Sequence, residues 1–240
     1  MNSPKDDTDD APQLTLRALD ALKEFYNERD SIQRQFEELK NQADTEFTAS
    51  RTLSMSAFTE NWNASQFWYS DQTATVLALA LLEGTTDESH IAIVSAPSVF
   101  VQLKNLLAAS VSAVNPQLAL LEYDERFSIF KEFVAYDFAN PLKLPGSLKG
   151  NFDRIICDPP FLSEDCQAKA ALTVRWLMNS EKQTRIIVCT GERMESLILK
   201  LYSKTGVRTT TFEPQHTKGL SNEFRCYANF ESKEWTWCKS

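Results

Sequence analysis

The stretch Asn151-Phe152-Asp153-Arg154-Ile155-Ile156-Cys157-Asp158-Pro159-Pro160-Phe161 decides how the rest of the chain is read. Ile155, Ile156 and Cys157 form an apolar run that ends abruptly in an acid, two prolines and an aromatic. The run has the composition of a strand buried on both faces, as in a parallel sheet. The prolines stop it, because they fix φ and cannot donate to a ladder. Asp158 is therefore expected at the carboxyl end of a central strand, where open α/β sheets place their ligand chemistry. A carboxylate, bare proline carbonyls and an aromatic face suit a flat or cationic amine: the oxygens accept its N–H groups and the ring stacks on it. The plainer alternative is a strand closed by a Pro-Pro turn, with Phe161 in the core.

The surroundings support a ligand site. From residue 71 to about 205, strand-like and helix-like segments alternate, which predicts a parallel doubly wound sheet. Asp71 reads as the cap of a helix over 72–83 closed by Gly84. Strands are expected at 90–95, 118–124, 133–138, 153–158 and 185–189. Ser98 reads as the cap of the helix after the first strand. Ser163, followed by Glu164 and Asp165, opens the helix after the fourth. A helix near 193–203 and strands at 209–212 and 224–229 complete the pattern, the last two strands antiparallel across a short connection. Trp235-Thr236-Trp237 reads as an added edge strand or a cover.

Ahead of this domain, 1–12 is polar and acidic and expected to be disordered. Residues 13–45 read as one amphipathic helix striped by Leu22, Phe25, Ile32, Phe36 and Leu39. The main domain then spans 46–240. Its first feature, Asn61-Trp62-Asn63-Ala64-Ser65-Gln66-Phe67-Trp68-Tyr69-Ser70, is dense in aromatics that either plug a core edge or line a pocket.

Three successive strands carry acids at their ends: Glu122 and Asp124, Asp137, and Asp158. In a parallel sheet these ends line one crevice. An acid after the second strand suits the hydroxyls of a ribose, with Glu122 and Asp124 both available. One after the third suits the exocyclic amine of an adenine. An adenosine-containing cofactor follows. The turn after the first strand, Ser95-Ala96-Pro97-Ser98, has no glycine, which argues against NAD(P) and P-loop nucleotides. It also departs from the usual S-adenosylmethionine turn, unless the small Ser95 and Ala96 do the work of glycines.

Composition narrows the class further. The net charge is −8, which disfavours nucleic acid as a partner and favours a basic one. The five cysteines show no CxxC spacing and two histidines are too few for a metal cluster, so buried thiols and no metal are expected. No membrane-spanning run or signal-peptide core is present, and a cytoplasmic monomer is expected.

Asp158-Pro159-Pro160-Phe161 resembles the Asp-Pro-Pro-Tyr/Phe signature of amino-group methyltransferases that use S-adenosylmethionine. Four further stretches resemble one narrower group: 66–73, Val94-Ser95-Ala96-Pro97-Ser98, 121–127 and Asn222-Glu223-Phe224-Arg225-Cys226-Tyr227. These are the translation elongation factor 1-alpha lysine methyltransferases, formerly labelled N6-adenine-specific DNA methyltransferase 2. The resemblance spans roughly 60–230. It implies a Rossmann-like, seven-strand class I methyltransferase fold with an antiparallel last strand. It implies that Ser95, Ala96, Pro97, Glu122, Asp137 and Phe138 line the cofactor site, walled by Phe67, Trp68 and Tyr69. Asp158 to Phe161 would hold the target amine. The rival expectations are an adenine N6 methyltransferase acting on DNA or RNA, with Phe161 stacked on a flipped base, and a non-catalytic module that kept the fold.

Overall fold

The computed structural model describes residues 66–109, 114–219 and 223–239, together with Lys23, 53–55, Phe58 and Glu60. The chain divides into two compact units, Met1–Thr45 and Glu46–Ser240, and every element below belongs to the second. The acidic tail and amphipathic helix expected over 1–45 lie outside the described residues.

Eleven elements are named here in chain order. They are α1 (Asp71–Leu82), β1 (His90–Val94), α2 (Pro97–Ala108), β2 (Gln117–Glu122), β3 (Phe133–Ala135), β4 (Arg154–Cys157), α3 (Glu164–Leu177), β5 (Arg185–Gly191), α4 (Glu195–Leu201), β6 (Arg208–Thr209) and β7 (Phe224–Ala228). The sheet order is β3-β2-β1-β4-β5-β7-β6. β1 to β5 pair in parallel, while β7 runs antiparallel to both β5 and β6. This is the seven-strand class I methyltransferase arrangement.

Alternation of side chains across the pleat explains why the central strands read as continuous apolar runs. Ile91, Ile93, Leu120, Ile156 and Ile187 meet Leu77 and Leu81 of α1 and Val99, Phe100 and Leu103 of α2 on one face. Ala92, Val94, Leu121, Ile155, Cys157, Ile186 and Val188 meet Ala170, Ala171, Val174 and Leu177 of α3 and Ile198 of α4 on the other. Cys157, Cys166, Cys189 and Cys226 are buried free thiols.

Several boundaries differ from expectation for identifiable reasons. α1 is capped by Ser70, whose Oγ accepts from the Thr73 N–H at 3.2 Å; Asp71 is the first helical residue. α2 has Ala96 at its cap position and no side-chain cap, because the Ser98 hydroxyl accepts instead from the Tyr69 N–H. β3 ends at Ala135 because Asp137 folds the chain back, its Oδ1 accepting from the Ala139 N–H at 2.8 Å. β6 is short, and the tail covers it: Thr210 bridges Trp237, and Cys238 N–H donates to the Thr209 carbonyl at 2.9 Å. That cover protects an otherwise open sheet edge.

Ser95, immediately after β1, takes φ +55. It occupies the left-handed region where related folds use glycine, at a cost of about 1–2 kcal/mol for an L-residue. Ser95→Gly is expected to match or exceed the parent in thermal stability. Ser95→Val, branched at Cβ, should lose about 1–2 kcal/mol in denaturant titrations. A Val variant as stable as the parent would remove the strain from the account.

Candidate active site

The carboxyl edge of the sheet is extended one residue past each strand by backbone bonds. Ser95 N–H donates to the Leu121 carbonyl at 2.9 Å, Asp158 N–H to Val94 at 3.0 Å, and Tyr136 N–H to Glu122 at 3.0 Å. The turn after β1, the end of β2 and the Asp-Pro-Pro loop after β4 are thereby brought side by side. None of these neighbours is close in sequence.

Asp158 Oδ2 accepts from the Tyr69 hydroxyl at 2.6 Å. Tyr69 is held on every side. Its N–H donates to Ser98 Oγ, its carbonyl accepts from the Thr217 hydroxyl at 3.2 Å, and it bridges His216 in antiparallel register. The neighbouring Ser70 N–H donates to Gln215 and the Thr217 N–H to Trp68, both at 2.9 Å. The Tyr69 ring leans on His216 at 4.9 Å, and His216 meets Phe224 edge-on at 4.6 Å. Burial pushes the Asp158 carboxyl up to about 8; the Tyr69 hydroxyl pulls against that and the Glu122 charge adds to it. Burial, then the Asp158 charge, raises the Tyr69 phenol well above its ordinary value, so it stays a donor. Burial lowers His216 to about 4, leaving its ring neutral at physiological pH.

The sequence pattern marks His216 only as one of two histidines, too few for a metal cluster. A ring packed against a tyrosine needs no second histidine. The useful signal was its place in the connection between two antiparallel strands beside the matched 222–227 stretch.

The acids after β2 divide their labour. Asp124 receives the Arg126 guanidinium, with Nη2 at 2.6 Å from Oδ2, and the Gln66 amide at 2.9 Å. Burial raises the Asp124 carboxyl, but Arg126 and Gln66 outweigh it and hold the group below its ordinary value. Glu122 is buried and spends only Oε1, which accepts from the Tyr123 and Asp124 N–H groups at 2.9 and 3.1 Å. Burial is the main cause of its rise to about 7. Asp137 accepts from Ala139 N–H and from the Asn140 amide, both at 2.8 Å, leaving one lone pair on each oxygen. Phe138 packs edge-on against Phe161 at 5.5 Å, which joins the end of β3 to the Asp-Pro-Pro loop.

Trp68 faces the core. It is buried, its Nε1 donates to the Phe58 carbonyl at 2.7 Å, and its ring meets Phe127 edge-on. It therefore backs Tyr69. Ala96 and Pro97 are buried at the start of α2. In the loop itself Pro159 is buried, Pro160 is half-buried and Phe161 is 39% exposed, so its ring is available at the rim. Leu162 presses on β5 at Gly191, where an added Cβ would lie 2.9 Å from Leu162 Cδ1. Among the described residues, no group of three or more His, Cys, Asp or Glu is placed to hold a metal ion. None of their helices is long and apolar enough to cross a membrane.

The family profile described as Probable N6-adenine methyltransferase matches residues 60–232. The chain belongs to this family. The matched span holds Tyr69 and every element from α1 to β7, and so the residues gathered at the carboxyl edge. Among its relatives, the chain is 43% identical to Protein-lysine N-methyltransferase EFM5 of Saccharomyces cerevisiae, over 92% of this chain and 93% of that one. It is 41% identical to EEF1A lysine methyltransferase 1 of Gallus gallus, over 95% and 98% of the two chains. It is 39% identical to the Homo sapiens protein of the same name, over 93% and 94%.

The two raised acids at the carboxyl edge, Asp158 and Glu122, set a pH dependence. In the folded chain Asp158 and Glu122 keep their protons up to about 8 and about 7, whereas ordinary carboxyls release them near pH 4. Their contribution to stability is therefore fully present below about pH 4 and is lost as pH rises through about 7 to 8. Asp158→Asn has no proton to release there. It is expected to lose less Tm than the parent between about pH 5 and about pH 9. Equal losses in the two proteins would contradict the raised carboxyl.

Proposed function

We propose that this protein transfers a methyl group from S-adenosylmethionine to a lysine side chain of translation elongation factor 1-alpha, acting as a cytoplasmic monomer. The observation that carries the reading is an Asp-Pro-Pro-Phe loop whose acid is half-buried, hydrogen-bonded by Tyr69 and open on one oxygen, in a chain aligned over more than nine-tenths of its length with protein-lysine methyltransferases. The family label names adenine. The net charge of −8 and the relatives' names favour a protein amine over a nucleic acid.

The residues at the sheet edge fit the donor. Glu122 keeps Oε2 for a pair of ribose hydroxyls, while Asp124 is committed to Arg126 and Gln66. Asp137 retains acceptor capacity for an adenine amine. Ser95 and Ala96, with Ser95 in the left-handed region, let a ligand approach the backbone as glycines do elsewhere. Two carboxyls that resist ionisation, Glu122 and Asp158, suit a cationic ligand, since a nearby positive charge favours their charged forms. S-adenosylmethionine supplies a methyl group on a sulfonium centre. Phe67, Trp68 and Tyr69 form the wall and its backing, and Pro97 starts the helix beneath.

The amine side is the work of the loop. A lysine of ordinary pKa near 10.4 arrives protonated, and only the neutral amine is nucleophilic. Burial depresses that value. Asp158 first positions the amine; once a cationic ligand beside it favours its ionised form, the carboxylate takes the proton from Nζ as its second role. Tyr69 occupies Oδ2, so Oδ1 receives it. The Pro159 carbonyl accepts the other N–H of the amine. Phe161 lies along the aliphatic stem. The loop contributes most through alignment of the nitrogen with the methyl group.

Labelled S-adenosylmethionine incubated with the purified protein and a cytosolic extract is expected to mark one protein band near the size of elongation factor 1-alpha. Asp158→Ala should remove the label while the protein stays folded by circular dichroism. Label confined to nuclease-sensitive material would return the function to adenine. Glu122→Ala should weaken S-adenosylmethionine binding by about tenfold or more in calorimetry, the loss of about two hydrogen bonds to a charged acceptor. Asp124→Ala is expected to weaken it less; the opposite ranking would reassign the ribose.

A further inference from the structure

Gln167, in the first turns of α3, is 1% exposed, yet it carries an amide. Its Nε2 donates to the Phe161 carbonyl and to Thr190 Oγ1, each at 3.0 Å. Its Oε1 is buried and has no partner. The reverse orientation would set Oε1 against the Phe161 carbonyl, so the amide is fixed by the loop it serves. The preceding residue, Cys166, takes a backbone hydrogen bond from Phe161 that opposes the burial raising its thiol. Both polar groups of Phe161 are thus held by adjacent side chains of one helical turn.

The loop needs such a hold. Pro159 and Pro160 have no N–H, so Asp158 N–H, bonded to Val94, is the last backbone donor before Phe161. The entrance to the loop is tied to the sheet, and its exit is held by side chains: Cys166 and Gln167 on Phe161, and Arg193, whose guanidinium donates to the Leu162 carbonyl at 3.1 Å. Thr190, fully buried on β5, aims the amide. A core position that served packing alone would favour leucine, of similar volume and without an unpaired buried oxygen.

We infer that Gln167 is a positioning residue for methyl transfer: through the Phe161 carbonyl it sets the direction in which the Asp158–Phe161 loop presents its acceptors and its ring to the amine. This rests on the amine methyltransferase reading above. Small misplacements of an aligned nucleophile cost large factors in rate. In Gln167→Leu, kcat for the protein substrate is expected to fall about tenfold or more, with both KM values within about twofold of the parent. Its Tm should stay close to the parent's, because removing the unpaired Oε1 offsets the Phe161 and Thr190 oxygens left without Nε2, and exchange of the Phe161 amide hydrogen should quicken. Thr190→Val, which removes only the hydroxyl that aims the amide, should show a smaller loss of the same kind. Parental kcat in Gln167→Leu, or a rise in KM with kcat intact, overturns the inference. If Gln167→Leu fails to fold, Thr190→Val decides: unchanged kcat in that variant sinks the idea. A parent protein that methylates nothing overturns the functional reading as well, whereas an active parent with an equally active Gln167→Leu overturns this one alone.

Discussion

The hydrogen bond from the Tyr69 hydroxyl to Asp158 is the contact on which the site depends. It joins a segment that precedes the first strand to a loop that follows the fourth, and it explains why so much structure surrounds one tyrosine. Ser98, Gln215, Thr217, His216 and Phe224 fix the backbone and ring of Tyr69 or its neighbours. They come from α2, from the β6–β7 connection and from β7. A phenol held this firmly leaves its carboxylate partner one open oxygen and one direction in which to use it.

The carboxyl edge is also where the chain tolerates local cost. Ser95 sits in a left-handed conformation that an L-residue enters unwillingly. Asp158 and Glu122 sit where burial works against their charge. Gln167 buries an oxygen without a partner. Ser95, Glu122 and Asp158 belong to the turn, the strand end and the loop that converge there, and Gln167 reaches the loop from α3. Concentrated strain of this kind is what a preorganised polar site requires, because groups aimed at a ligand cannot also be satisfied by one another.

The acids also illustrate why residue type does not settle role. Glu122 and Asp124 are two residues apart and each was a candidate for the same hydroxyls. Arg126 and Gln66 neutralise and immobilise Asp124. Backbone N–H groups hold Glu122 by one oxygen and leave the other. Trp68 and Tyr69 are a similar pair: adjacent aromatics, one turned into the core against Phe127 and one turned to Asp158.

By itself the sequence determined the architecture: strands that are apolar throughout, helices between them, acids at successive strand ends, and a loop that two prolines make unable to continue a ladder. These are local properties, carried by periodicity and by backbone chemistry, and they reach as far as an amine site at the edge of a parallel sheet. The resemblance of several stretches to one group of methyltransferases sharpened that to a lysine. Only the tertiary structure decided which side chains share the site. The Tyr69–Asp158 bond spans 89 residues, and the Gln66–Asp124 bond spans 58. His216 and Gln167 enter through ring packing and a carbonyl contact. Such contacts leave no periodic trace in the chain, since they depend on where the sheet brings distant segments together and on which polar atoms burial then forces into partnership.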